Sequence, residues 1–197
     1  MDTTDPLTLV FATHNPNKVA EVQALLGDRY RVKSLADIGC HEEIVEDAAT
    51  LEGNARLKAR HVVTHYGLDC FADDTGLEVE ALGGAPGVRS ARYAGEPANS
   101  EANMDKLLAE MDGHSNRSAQ FRTAICLARA GEEWLIEGVC TGQIRGDRTG
   151  RAGFGYDPVF QPTGHAVTFA EMTTQEKNAI SHRGQAIRQM VELLMAD

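Results

Sequence analysis

The sequence predicts an α/β fold on a mixed sheet, and two observations predict it. In the first half, short apolar runs rich in strand formers alternate with amphipathic helical stretches. Further on, two strand-length runs are joined through Ala130-Gly131-Glu132, which marks a hairpin and so an antiparallel pair. The 197 residues suffice for one large domain or two closely joined lobes with a sizeable core. Residues 1–197 are expected to act as a single α/β domain.

The elements follow in order. Leu7 to Ala12 (LTLVFA) reads as a buried strand. Asn15 is a good N-cap, Pro16 suits the first helical position, and Val19, Val22, Leu25 and Leu26 form an apolar stripe that Gly27 can end. A second helix is expected from Thr50 to Tyr66, with Leu51, Ala55, Ala59, Val62, Val63 and Tyr66 on its apolar face and Gly67 as the stop. Asn54, Lys58, His61 and His65 share a different face of it. Leu68 to Ala72 reads as a short strand ending at Asp73-Asp74, and Leu77, Val79 and Ala81 alternate with Glu78 and Glu80 as a separate, half-exposed strand. Residues 83–98, rich in Gly and Pro, read as loop. Met104, Leu107, Leu108 and Met111 mark a helix capped by Asn99 or Ser100. Residues 119–128 and 134–144 form the hairpin, and residues 145–157 are again loop. Thr173 and Glu176 make a capping box. The helical region behind it carries Ile180, Ile187, Met190, Val191 and Leu194, with a break at Ser181 if that residue caps a new helix.

Composition limits the function. Hydrophobic residues make up 42% and charged residues 24%, a globular balance. A net charge of -10 excludes broad binding to nucleic-acid backbone, and an anionic ligand would need a local basic site or a metal. Cys40, Cys70, Cys126 and Cys140 contain no CxxC pair, so no disulfide framework and no zinc site are expected. The acidic N-terminus lacks the basic region of a signal peptide, and no run approaches the ~20 apolar residues of a membrane span. The expected location is cytoplasmic.

Four constellations could carry chemistry. Thr13-His14-Asn15-Pro16-Asn17-Lys18 opens a helix, where free N–H groups and the dipole attract anions. Lys18 in that first turn is disfavoured unless an anion joins it, although a plain capped helix with a solvated lysine has the same spacing. Asp73 and Asp74, with Glu46 in the acidic run HEEIVED (Glu42, Glu43, Glu46, Asp47), could bind a hard divalent cation and accept a proton from water. A polar turn and a solvated loop would read alike. Gly153-Phe154-Gly155-Tyr156-Asp157 could let backbone and an aromatic approach a flat ligand, or could plug the core. Lys177 with Ser181-His182-Arg183 concentrates positive charge in an acidic chain, on what is otherwise a solvated helix face. Arg89 and Arg92 read as surface residues. Together these are the parts of a nucleoside triphosphate site.

The segments FATHNPNK (11–18), FADDTGLEVEALGGAPGVRSARYAG (71–95), GFGYDPVF (153–160) and EMTTQEKNAISHRGQA (171–186) resemble, in the same order, those of the inosine/xanthosine triphosphate pyrophosphatases. The resemblance implies a long mixed twisted sheet with flanking helices in two lobes around a central substrate cleft. It also implies a homodimer, a magnesium (Mg2+) requirement, and hydrolysis of ITP, dITP and XTP to monophosphate and pyrophosphate. Carried over, Thr13, His14, Asn15, Pro16, Asn17 and Lys18 bind the triphosphate. Asp74 is proton acceptor and metal ligand, with Glu46 near the metal and Thr75 on the substrate. Phe154, Gly155, Tyr156 and Asp157 hold the base, and Lys177, His182 and Arg183 complete the pocket. His14 stands where many members have glycine. The partner is a small nucleotide, not a nucleic acid or a membrane. A pyrophosphatase of related fold acting on other nucleotides, or a nucleotide sensor without turnover, are the alternatives.

Overall fold

The first strand, β1 (Leu7–Phe11), buries only its second half: Leu7 is 61% exposed while Val10 and Phe11 are buried. The expectation of a buried strand therefore holds only for the end of β1 that pairs with Cys70 and Phe71. The structure, a computed structural model, describes residues 6–196; the acids ahead of Pro6 that entered the reading of the N-terminus lie outside the described residues. After β1 come α1 (Pro16–Leu26), β2 (Tyr30–Lys33), α2 (Leu51–Tyr66), β3 (Cys70–Val79), β4 (Pro86–Gly87), α3 (Ser100–Glu110), β5 (Ser118–Arg129), β6 (Glu132–Ile144), β7 (Phe160–Pro162), α4 (Thr174–Ile180) and α5 (His182–Ala196). Among the described residues the strands form a seven-stranded sheet in the order β2-β1-β3-β5-β6-β7, with β4 on β3. β1 runs parallel to β2 and β3, whereas β3–β4 and β6–β7 are antiparallel, so the sheet is mixed.

The chain divides into two compact units. The first holds Met1–Asp74, Ala124–Ile136 and Ala186–Asp197. Its central strands are covered on both faces, as expected of parallel strands with crossovers. One cluster gathers Phe11, Phe71, Val22, Leu26, Ile125 and Ile187, with the Phe11 and Phe71 rings stacked at 4.5 Å. The other gathers Val10, Ala12, Cys70 and Ala72 with Ala55, Ala59 and Val62 of α2. The alternation 10/11/12 and 70/71/72 between clusters is the two-residue period of a strand. β2 alternates buried Tyr30 and Val32 with exposed Arg31 and Lys33. The second unit holds Thr75–Thr123 and Glu137–Gln185 around Leu77, Val79, Leu107, Phe121, Ile144, Phe160 and Phe169.

The caps are where the sequence placed them. The Asn15 side chain accepts from the amides of Asn17 and Lys18, Thr50 accepts from Gly53, Asn99 from Ala102, and Gly67 closes α2 at a left-handed φ of 63°. Thr173 and Glu176 form the expected capping box, and the helical region does break at Ser181. Two expectations change. β3 does not end at the carboxylates but runs on as one ten-residue strand to Val79, so Leu68 and Ala81 lie outside it and the two expected strands are one. Val63 is 41% exposed, on the solvent side of α2. β5 and β6 are neighbours joined by Ala130 and Gly131, both at positive φ (51° and 83°), the backbone of a tight hairpin turn. β2 and β7, too short for a clear pattern, had not been anticipated. No helix among the described residues is long and apolar enough to cross a membrane.

At the α4–α5 break, Ser181 is extended and its Oγ accepts from the Gly184 amide at 3.0 Å. A Cβ on Gly184 would meet the carbonyl oxygen of Asn178 at 2.0 Å. Gly184→Ala is therefore expected to destabilise the fold by about 1–3 kcal/mol, the usual range for overpacking, read as a lower urea midpoint at unchanged slope. An unchanged midpoint would mean the break can open without loss.

Candidate active site

In the first unit, the backbone at the start of α1 is already committed. Pro16 has no N–H, Asn15 Oδ1 takes the amides of Asn17 (2.9 Å) and Lys18 (3.4 Å), and the Val19 amide bonds the Asn15 carbonyl. Thr13 Oγ1 accepts from the Asn15 amide at 3.1 Å. An anion drawn here would therefore meet side chains and the helix dipole rather than bare amides. His14, Pro16 and Asn17 are exposed, and His14 Nε2 lies 3.0 Å from the Glu42 carbonyl oxygen. Lys18 turns to β3, where its Nζ donates to Asp73 Oδ1 at 2.7 Å; the side chains are 16% and 1% exposed. That pairing accounts for a cation in the first turn of a helix.

The neighbouring carboxylate has a different environment, because successive strand residues face opposite ways. Asn54 Nδ2 donates to Asp74 Oδ2 at 3.0 Å, and Lys58 Nζ lies 4.0 Å from Asp74 Oδ1 while donating to Glu46 at 2.6 Å. Burial pushes the Asp74 carboxyl above the usual aspartate range, against the pull of Lys58, Lys18 and the Asn54 hydrogen bond, and Glu46 adds to the rise. The site thus holds a carboxyl poised to take a proton, with a second carboxylate sharing one lysine with it. Asp74 and Glu46 present hard oxygen donors, and each already draws on a cation in Lys58; this is a donor set that suits a divalent ion such as magnesium.

In the second unit, Thr75 Oγ1 bonds Thr123 Oγ1 at 2.7 Å and accepts from Arg183 Nη2 at 3.2 Å. Arg183 is 2% exposed, and its guanidinium lies 5.6 Å from the Phe154 ring centroid. Lys177 Nζ is 4.9 Å from the same ring and donates to Asp157 Oδ2 at 2.8 Å. That oxygen also accepts from the Phe154 amide at 2.9 Å. Gly153, at φ 76°, is where a Cβ would run into Asp157 Oδ2 at 2.0 Å, so glycine there lets the loop close over the carboxylate. His182 stacks on Phe121 at 4.6 Å, deep in the apolar cluster. Tyr156 is buried with its hydroxyl donating to the Ser90 carbonyl at 2.8 Å, so it anchors the loop, and Gly155 beside it is half-buried. Arg92 pairs with Glu96 at the surface.

Residues that the sequence reading had not assigned to the site are Asn54, Lys58 and Thr123. The available signal was the polar face of α2: Asn54 and Lys58 are buried, His61 half-buried and His65 exposed. A polar helix face reads as solvated until the strand opposite it is known.

A model of the Ham1 family matches residues 9–193. The chain is 54% identical over 186 residues to the dITP/XTP pyrophosphatase of Flavobacterium psychrophilum, covering 94% of this chain and 98% of that protein. It is 46% identical over 191 residues to the dITP/XTP pyrophosphatase of Bacillus subtilis, covering 95% and 96%. Among solved structures, a HAM1 protein from Coxiella burnetii superposes with a TM-score of 0.88 at 40% identity, over 97% of this chain and all of that one (100%).

The Lys177–Asp157 pair is nearly dry, with side chains 8% and 4% exposed. Lys177→Met is expected to destabilise by about 3–5 kcal/mol by stranding the carboxylate, and adding Asp157→Asn to recover part of it, in a urea double-mutant cycle. Asp74 carries the opposite sign. Its carboxyl holds a proton to higher pH in the fold than in the unfolded chain, so between those two values the native state binds more protons and stability falls as pH rises. Asp74→Asn is expected to melt above the parent at neutral pH, the difference vanishing below about pH 3, under the ordinary aspartate range. Thermal melts across that span check it; a variant melting lower at neutral pH contradicts it.

Proposed function

Because the chain belongs to the Ham1 family, we propose that it hydrolyses the non-standard purine nucleoside triphosphates ITP, dITP and XTP to the monophosphate and pyrophosphate. The observation that carries this is Asp74: a largely buried carboxyl above its usual range, held between Asn54 and Lys58, in a chain about half identical to proteins named for this activity.

On this reading, Asp74 accepts the proton of the water that attacks the α-phosphorus, and burial raises its affinity for protons in the direction that suits a base. Asn54 fixes the carboxyl's orientation, and Lys58 holds charge beside it. Thr13 to Lys18 receive the phosphates with side chains and the helix dipole, and Lys18, paired with Asp73, attracts the anion. Thr75 lies against the substrate, oriented by Thr123 and Arg183. Asp74 and Glu46 would hold magnesium, which supplies the positive charge that a triphosphate needs in an acidic protein. In the second unit, Phe154 to Asp157 hold the base. Lys177 and Arg183, close to the Phe154 ring, keep that face positive. Inosine and xanthine carry a 6-oxo acceptor where adenine carries an amino donor, so a buried donor from Arg183 or His182 rejects adenine by leaving polar groups unmatched. A homodimer follows the family resemblance. A cytoplasmic location also draws on four buried cysteines, all of them free thiols.

A pyrophosphate-release panel over ITP, dITP, XTP, ATP and GTP, with and without magnesium, tests the reading. Pyrophosphate is expected from the first three only, and only with the metal. Asp74→Asn is expected to lose about 100- to 10,000-fold in kcat. Orthophosphate as the sole product, or near-normal turnover in the variant, would overturn it.

A further inference from the structure

A second group of metal-binding side chains lies in the first unit, apart from Asp74 and Glu46. Cys40 and Glu42 come from the loop after β2, and His61 from the middle of α2. The Cys40 Sγ lies 4.0 Å from His61 Nε2, and that nitrogen lies 3.0 Å from Glu42 Oε1. All three ligand atoms fall within 4.8 Å of one another. Bond lengths of about 2.3 Å to sulfur and about 2.1 Å to nitrogen and oxygen place tetrahedral ligand atoms roughly 3.4–3.6 Å apart, and the two observed separations straddle that range.

We propose that Cys40, Glu42 and His61 bind a borderline divalent cation of the zinc type, with water in the fourth position. A thiolate and an imidazole select against magnesium, which prefers oxygen alone. A thiolate, a carboxylate and a neutral imidazole balance the charge of one such ion. Solvent reaches the place: the Glu42 and His61 side chains are 48% and 20% exposed, while Cys40 is fully buried behind them. Outer partners are present too. Tyr66 donates to both Glu42 oxygens at 2.9 and 3.1 Å, and the His65 ring stacks on His61 at 4.3 Å. No CxxC spacing could reveal this set, because only the fold brings His61 of α2 to Cys40 and Glu42. An ion there ties the loop carrying Glu46 to the helix carrying Asn54 and Lys58.

Cobalt replaces zinc in such sites and reports its ligands by colour. The full chain, with excess magnesium to occupy oxygen-only sites, is titrated with Co2+. A thiolate-to-cobalt charge-transfer band and intense tetrahedral d–d bands are expected, displaced by Zn2+. The charge-transfer band disappears in Cys40→Ser and persists in Cys140→Ser. Because Cys40 is buried, His61→Ala and Glu42→Gln give a second arm at more exposed positions. Each is expected to weaken Zn2+ by at least about 10-fold and to lose the rise in melting temperature that Zn2+ gives the parent. No thiolate band in the parent, a band that survives Cys40→Ser, or unchanged Zn2+ affinity in His61→Ala overturns the proposal.

Discussion

A β-strand turns successive side chains to opposite faces, so Asp73 and Asp74, side by side within β3, need positive charge on both sides of it. The structure supplies it from two helices. α1, which packs with Phe11 and Phe71, sends Lys18 to Asp73; α2, which packs with Val10, Cys70 and Ala72, sends Lys58 and Asn54 to Asp74. Each apolar cluster fixes a helix against one face, and each helix then delivers the group that its carboxylate requires. The two carboxylates diverge as a result. Asp73 is matched by a short, buried ion pair, whereas Lys58 stands 4.0 Å from Asp74 and Asn54 gives it an amide hydrogen bond. Burial raises its affinity for a proton, and the pull of Lys58, Lys18 and Asn54 offsets that only in part.

The second unit solves a similar problem in the opposite way. Asp157 is fully compensated by Lys177 and by the Phe154 amide, and Gly153 leaves room for the loop to wrap around it. A buried pair of this kind adds little net stability, but it dictates one arrangement of the loop and holds the Phe154 ring beside two cations. One unit holds a carboxyl with a raised affinity for protons, and the other uses a carboxylate to set the shape of a loop.

Much of this was legible in the sequence because capping is local chemistry. Asn15, Thr50, Asn99, Thr173 and Ser181 each marked a helix start that the backbone adopts. The run Asp73-Asp74-Thr75-Gly76 misled for a physical reason: those residue types favour turns when nothing compensates them, and the compensating cations are distant in sequence. β2 and β7, with four and three residues, are too short for periodicity to register. Asp74, Lys177, His182 and Arg183 lie in recognisable local segments, but the hydrogen bonds of Asn54 and Lys58 depend on how α2 packs, and that of Thr123 on register across the sheet, which no window of sequence contains. Tyr156, expected beside a base, also anchors its loop through its hydroxyl on Ser90, a partner that lies in a distant segment.

The two strands at the ends of the sheet order have a consequence for colloidal behaviour. β2 is short and sets Arg31 and Lys33 outward, and β7 is three residues long and closes with Pro162, which has no N–H to offer. Each is a poor template for a strand from another chain. A crowded solution of this protein is thereby guarded against fibril seeding at both margins of its sheet, through features too small to matter to the chemistry carried farther in.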